Sequence, residues 1–152
     1  MSSLHVSLVS PERTLFEGEA QRITCHTIDG VVGILPHHAP LVTALVAGEL
    51  EIVAVDGSTH LFHVGGGFAE VQPGSVVAIL AESSERVAEI DAARAAEALR
   101  LAQERLQREA LSDREYAAVA SLIERNAARI RIVRKHAHRR RASITSEGVL
   151  EE

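Results

Sequence analysis

Leu80-Ala81-Glu82-Ser83-Ser84-Glu85-Arg86-Val87-Ala88-Glu89-Ile90-Asp91 separates two kinds of sequence in this chain. Ahead of it lie short runs rich in Val, Ile, Leu and Thr, punctuated by Gly, Pro and Asp-Gly, which is the spacing of an all-β sandwich or barrel. Beyond Gly74 neither Gly nor Pro recurs until Gly148, and Ala, Leu, Glu and Arg, all good helix formers, take over. The fold expected is α+β and mainly β: an N-terminal β-sandwich over residues 1–86, an antiparallel α-helical hairpin over 87–140, and a short polar, flexible tail over 141–152.

Within the first part the expected strands are Leu4 to Val9, Glu19 to Thr27, Val31 to Ile34, Leu41 to Leu45, Glu49 to Val55, Thr59 to Val64, Gly67 to Gln72 and Ser75 to Leu80. In the first, Leu4, Val6 and Leu8 alternate with His5, Ser7 and Val9, the period of two that a sheet with one buried face demands. Asp56-Gly57 between two β-rich runs is a hairpin signal, because a type I′ turn needs positive φ at both central residues. Asp29-Gly30 and Pro73-Gly74 mark further turns. Gly65-Gly66-Gly67 is followed by no GK[ST], so it reads as a strand bulge or close backbone crossing rather than a phosphate cradle.

In the second part, Ala95, Leu99, Ala102 and Leu106 recur at four, three and four, which puts them on one helical face. Leu111-Ser112-Asp113 breaks the pattern and offers a cap for the next helix. Tyr116, Ala120, Ile123, Ala127 and Ile130 then form a second stripe in a helix running to about residue 138. Two stripes joined by so short a turn pack as an antiparallel pair. An Ala-rich seam buries little apolar area, each Å² of which is worth roughly 25 cal/mol, so the pair is only modestly stable. A helix of about 20 residues reaches roughly 30 Å. Marginal stability with long reach suits a conformational switch.

Composition narrows function. The chain has 152 residues, 46% hydrophobic and 24% charged, enough apolar surface for a folded core. Aromatics are 3% with no Trp, so platforms for stacking single-stranded bases are scarce. The lone Cys25 cannot form an intramolecular disulfide and reads as a small core residue. No apolar run nears the roughly 20 residues that span a bilayer, and the start lacks signal-peptide features, so any membrane association is expected to come through partners. The net charge of −5 is uneven. Residues 1–88 carry ten acids and three bases, whereas Arg129, Arg131, Arg134, Lys135, Arg139, Arg140 and Arg141 crowd into 129–141 with no acid, which points to an acidic partner surface.

Signs of solitary catalysis are weak. His37-His38 and the His60, His63 pair do not converge by spacing, since strand neighbours and residues three apart alternate faces. No GxSxG, CxxC or HExxH occurs. A cupin-like metal enzyme using His37, His60 and His63 is one rival reading; a small β-sandwich ligand-binding module with a helical dimerisation tail is another. A third has the Arg-rich end bind nucleic acid or anionic lipid.

Gly33-Ile34-Leu35-Pro36-His37-His38-Ala39-Pro40-Leu41 resembles the Gly-x-Leu-Pro-x-His-x-Pro loop of the epsilon subunits of rotary, F-type ATP synthases. Val6 to Pro11 is similar to that family's first strand and turn, and Gly65 to Val71 to its Gly-Gly-Phe-x-Glu-Val strand. The resemblance covers residues 4 to about 140, and Arg139 to Glu152 departs from it. It implies a non-catalytic central-stalk subunit with no metal and no catalytic residue, partnered by gamma, the c-ring, and the alpha and beta subunits. Such a subunit couples proton translocation to ATP synthesis and inhibits ATP hydrolysis through its C-terminal helices. It implies a peripheral place on the cytoplasmic face of the bacterial inner membrane, held only through the complex, with no direct nucleic-acid binding. It further implies inhibitory contacts of Arg131, Arg134 and Lys135 with acidic segments of the beta subunits.

Ile90-Asp91-Ala92-Ala93-Arg94-Ala95 matches the Ile-Asp-x-x-Arg-Ala pattern with which some bacterial epsilon subunits bind regulatory ATP, and Arg125 and Arg129 match further phosphate-facing arginines by position. The chemistry is sound, since Asp91 accepts from an adenine amino group and Arg94 donates to phosphate oxygens. Read without the resemblance, Asp91 is equally a helix N-cap and Arg94 a solvated cation.

Overall fold

A computed structural model describes residues 2–148, with side chains through residue 137. Seven strands, β1 (Leu4–Val9), β2 (Thr14–Thr27), β3 (Gly30–Ile34), β4 (Leu41–Ala54), β5 (Thr59–Gln72), β6 (Val76–Ala81) and β7 (Ser84–Arg86), precede a short 3₁₀ turn, Val87–Glu89. Two helices follow, α1 (Ala92–Arg108) and α2 (Asp113–Gly148). The chain divides into two compact units, Met1–Glu89 and Ile90–Glu152.

The first unit is mainly β, as expected. Its strands run in the order β1-β6-β5-β4-β2, and β2 also pairs with β1, so the sheet closes into a flattened ring, with β3 added beside β2 and β7 beside β5. Among the described residues only β1 with β6 is parallel. Closure follows from strand length. Segments 41–45 and 49–55, expected as two strands, are one 14-residue strand, as are 59–64 and 67–72. β4 lies between β2 and β5, and β5 pairs with β4 along one edge and, along the other, with β7 through Phe62–Val64 and with β6 through Gly67–Gln72.

The hand-over falls on the glycines. Gly66 and Gly67 sit at φ of +108° and +129°, where an L side chain is strained, and allow β5 to bend without ending. The Gly65 amide donates to Ser83 O at 2.8 Å and the Glu82 amide to Gly66 O at 3.0 Å. A Cβ on Gly67 would lie 2.0 Å from Leu80 O. The close backbone crossing expected of this triplet is the one observed, and the pairing runs through it without a register shift, so it is not a bulge. The second strand begins at Thr14 rather than Glu19 because Val9 pairs with Thr14 across a tight turn, in which the Ser10 amide donates to Arg13 O.

Alternation fills the ring. Leu4, Val6, Leu8, Ile23, Ile34, Leu50, Ile52, Phe62 and Ile79 are all fully buried, each contributing roughly 1.5–3 kcal/mol by leaving water. Residues 84–89 stay with this unit. Arg86 donates to Leu15 O at 2.7 Å and lies 5.4 Å over the Phe62 ring, and Glu89 pairs with Arg13 at 3.2 Å.

In the second unit α1 and α2 pack against each other. Asp91 Oδ1 accepts from the Arg94 amide at 3.0 Å and caps α1. Ser112 caps α2, its Oγ accepting from the Glu115 amide at 3.2 Å and its carbonyl from the Tyr116 amide at 2.8 Å. On α1 the expected stripe holds, with Ala95 and Ala102 buried and Leu99 and Leu106 half-buried. On α2 it shifts. Tyr116 is 57% exposed, and burial begins one turn later at Val119 and includes Asn126, Ala128 and Ile132. An aromatic in the first turn after the connection keeps its hydroxyl in water. The second helix also runs past residue 138 to Gly148, since nothing before that glycine breaks it. The expected tail, 141–152, thus includes the last turns of α2, and residues 149–152 lie outside the described ones.

Gly67→Ala should destabilise the β unit by about 2 kcal/mol or more, because it combines a positive-φ penalty with a backbone clash. Gly33→Ala, where no atom lies within 4 Å of the added carbon, should stay within about 0.5 kcal/mol. Urea unfolding followed by circular dichroism checks both.

Candidate functional site

The pleat that buries one side of β4, β5 and β6 turns the other outward, and there it is apolar. Ala44 pairs with Phe68, and Phe68 with Leu80, so three strands bring these side chains into one row. Val42 and Val46 flank Ala44 along β4. Phe68 is 58% exposed, Leu80 61% and Val42 69%. Monomeric proteins seldom leave such clusters to water, and polar-rimmed patches of this kind mark protein contacts. Ile28 and Val31, also exposed, flank the Asp29-Gly30 turn.

The 35–40 loop is built on local bonds. His37 takes a φ of +67°, its amide donating to Ser75 Oγ at 2.9 Å, and its Nε2 lies 3.0 Å from Ser2 Oγ. His38 Nδ1 lies 2.7 Å from Ala39 O. His60 stacks edge-on against Phe16 with ring centroids 5.2 Å apart. His63 is buried, with Nδ1 3.8 Å from Glu85 Oε1. Among the described residues no three His, Cys, Asp or Glu side chains gather to hold a metal. Cys25 lies in the core, where burial pushes its thiol up to about 11, far from a reactive thiolate.

On the helical pair, the structure separates the expected site residues into groups. Asp91 is exposed with one carboxylate oxygen engaged in the cap, and Arg94 is exposed on the first turn. Ile90 is half-buried and Ala95 wholly buried, so the methyl of Ala95 belongs to the seam. Arg125 is exposed; Arg129 is half-buried and donates from Nη1 to Asn126 Oδ1 at 3.2 Å. Arg131 and Arg134 meet in an open groove of about 340 Å³ between the helices, floored by Ala96, Leu99, Ala127 and Ile130 and shared with Arg100. Asp91, Arg94, Arg125 and Arg129 do not line it. Lys135 is exposed beyond.

Arg100 and Asn126 were missed by sequence reading. Arg100 bonds Glu97 at 2.6 Å and Glu104 at 2.8 Å; these bonds hold the Glu97 carboxyl below its usual range and raise the guanidinium further. Glu at i−3 and i+4 was the available signal. Asn126 sits seven residues after Val119 and was legible only as a polar intrusion in an apolar stripe. Among the described residues no helix is long and apolar enough to cross a membrane.

Residues 3–87 match the family described as ATP synthase, Delta/Epsilon chain, beta-sandwich domain. The chain is 42% identical over 106 residues to the ATP synthase epsilon chain of Alkalilimnicola ehrlichii, covering 70% of this chain and 75% of that one. The epsilon chain of Nitrosococcus oceani is 42% identical over 113 residues, covering 74% and 76%, and that of an Exiguobacterium species 40% over 116, covering 76% and 85%. In fold the chain is similar to one from the Euglena gracilis mitochondrial ATP synthase OSCP/F1/c-ring assembly, with a TM-score of 0.73 at 24% identity over 84% of this chain and 79% of that one. A chain of the Tetrahymena thermophila mitochondrial central stalk and c-ring gives 0.60 at 18% identity, over 86% and 96%. The chain belongs to the delta/epsilon family of ATP synthase subunits and is a non-catalytic epsilon subunit of that machine.

Proposed function

We propose that the β unit docks this subunit into the central stalk against gamma and the c-ring, so that proton flow at the membrane is coupled to rotation and ATP synthesis. The exposed row of Ala44, Phe68 and Leu80 with Val42 carries this reading: an adaptor needs a standing apolar face, and the sheet register builds one. Position against the membrane then comes through the complex, at the cytoplasmic face of a bacterial inner membrane.

The second helix acts as a brake. Released from α1, it carries Arg131, Arg134 and Lys135 to acidic surfaces of the alpha and beta subunits and opposes hydrolysis. The run of cations supports this, because like charges on neighbouring turns repel one another until an acidic partner relieves them. ATP, held by Asp91 and Arg94 with Arg125 and Arg129, favours the closed pair. The exposed side chain of Arg94, in the turn that Asp91 caps, supports that role.

Phe68→Glu together with Leu80→Glu should leave the isolated chain folded and abolish its co-purification with the other ATP synthase subunits. Undiminished co-purification of a folded variant would rule the face out.

Replacing Arg131, Arg134 and Lys135 with Ala should raise hydrolysis by the assembled enzyme roughly threefold or more, at roughly 0.2–1 kcal/mol per exposed contact. The difference should narrow as salt shortens the screening length from about 10 Å to 3 Å. Arg94→Ala should weaken ATP binding about tenfold or more in calorimetry, since a hydrogen bond to a charged group is worth roughly 1.5–3 kcal/mol, and should deepen inhibition. Asp91→Ser keeps the helix cap and tests the carboxylate alone.

A further inference from the structure

We propose that Asn126 is the release point of the helical pair, a buried amide that sets how readily α2 parts from α1. Val119, Ile123, Asn126 and Ile130 follow one another at four, three and four, and Ile130 and Ala127 share a groove with Leu99 and Ala96. The stripe is therefore the side α2 turns to α1. In its middle Asn126 is only 4% exposed.

Its amide makes two bonds. Nδ2 donates to Leu122 O at 2.9 Å, and Oδ1 accepts from Arg129 Nη1 at 3.2 Å. Both partners belong to α2, so both bonds travel with that helix and neither is broken when the pair opens. An apolar residue at this position would lose its burial on opening, whereas the amide gains water. The facing stripe on α1 alternates the methyls of buried Ala95 and Ala102 with half-buried Leu99 and Leu106, which limits the area set against that gain. A polar residue in a helical seam lowers pairing stability in return for control over which state is adopted.

Asn126 acts on the opening of the pair; the effect of that opening on the motor rests on the inhibitory role proposed above. Hydrogen exchange on the full chain reads opening directly, because a helix the length of α1, 17 residues, is marginal when unpaired. Asn126→Leu should slow exchange of the α1 amides about tenfold, and Asn126→Asp should speed it. The amides of β1 to β6 should be unchanged and serve as the reference. Unchanged or faster α1 exchange in the Leu variant, with the β amides still protected, would overturn the proposal. Should the Leu variant lose β protection too, the Asp variant decides, with faster α1 exchange supporting the proposal and unchanged exchange overturning it. Slower α1 exchange with unaltered hydrolysis by the assembled enzyme would leave the release point standing and remove the inhibitory reading.

Discussion

The approach of Gly65–Gly67 to the backbone of Leu80–Ser83 is the constraint on which the β unit depends. Side-chain-free backbone allows β5 to pass from β7 to β6 without a break, and that passage lets one strand hold two neighbours. With β1 pairing to both β2 and β6, the ring closes and leaves only short additions, β3 and β7, at its margins. Closure disposes of long open edges, which would otherwise template aggregation. It also fixes the register of β4, β5 and β6, and that register puts Phe68 between Ala44 and Leu80. The exposed apolar row is thus a consequence of a backbone crossing.

The helical pair is built on opposite terms. Local interactions are ample: two capped N-termini, the Glu97-Arg100-Glu104 run and Arg105 with Glu109 hold each helix as a helix. Such exposed pairs add little, because water and salt screen them. Interactions between the helices are sparse, resting on alanine methyls, a few Leu and Ile side chains and a buried amide bonded within its own helix. Helices that adhere so weakly to one another can part at little cost.

Much of this was legible in the residues. Period-two alternation marked Leu4 to Val9, and the Asp56-Gly57 and Asp29-Gly30 turns stand where expected, but of Asp56-Gly57 only Gly57 takes a positive φ, +86°, so that turn is not type I′. The change of composition near Ser83 marked the passage from strands to helices. What escaped depended on partners distant in sequence. Val46-Ala47-Gly48 shows no alternation, so β4 read as two strands although β5 holds it continuous. Ser84–Arg86 is too short and polar to read as a strand, and it forms one because Arg86 finds Leu15 O and the Phe62 ring. Counting apolar spacings put Tyr116 in the seam, where Val119 stands instead. The outer face could not be read at all, because its members lie on three strands and their adjacency exists only in the register.

Thiol labelling tests docking at the outer face most directly. Cys25 is buried, so a cysteine placed at Leu80 would supply the reactive group on an otherwise unreactive chain. If this face seats the subunit in the stalk, Leu80→Cys should label readily in the free chain and at least about tenfold more slowly in the purified, assembled ATP synthase, as expected for a side chain taken out of solvent at an interface core. Equal labelling in the two states, with the subunit present at full occupancy, would contradict it and place the docking surface elsewhere on the ring.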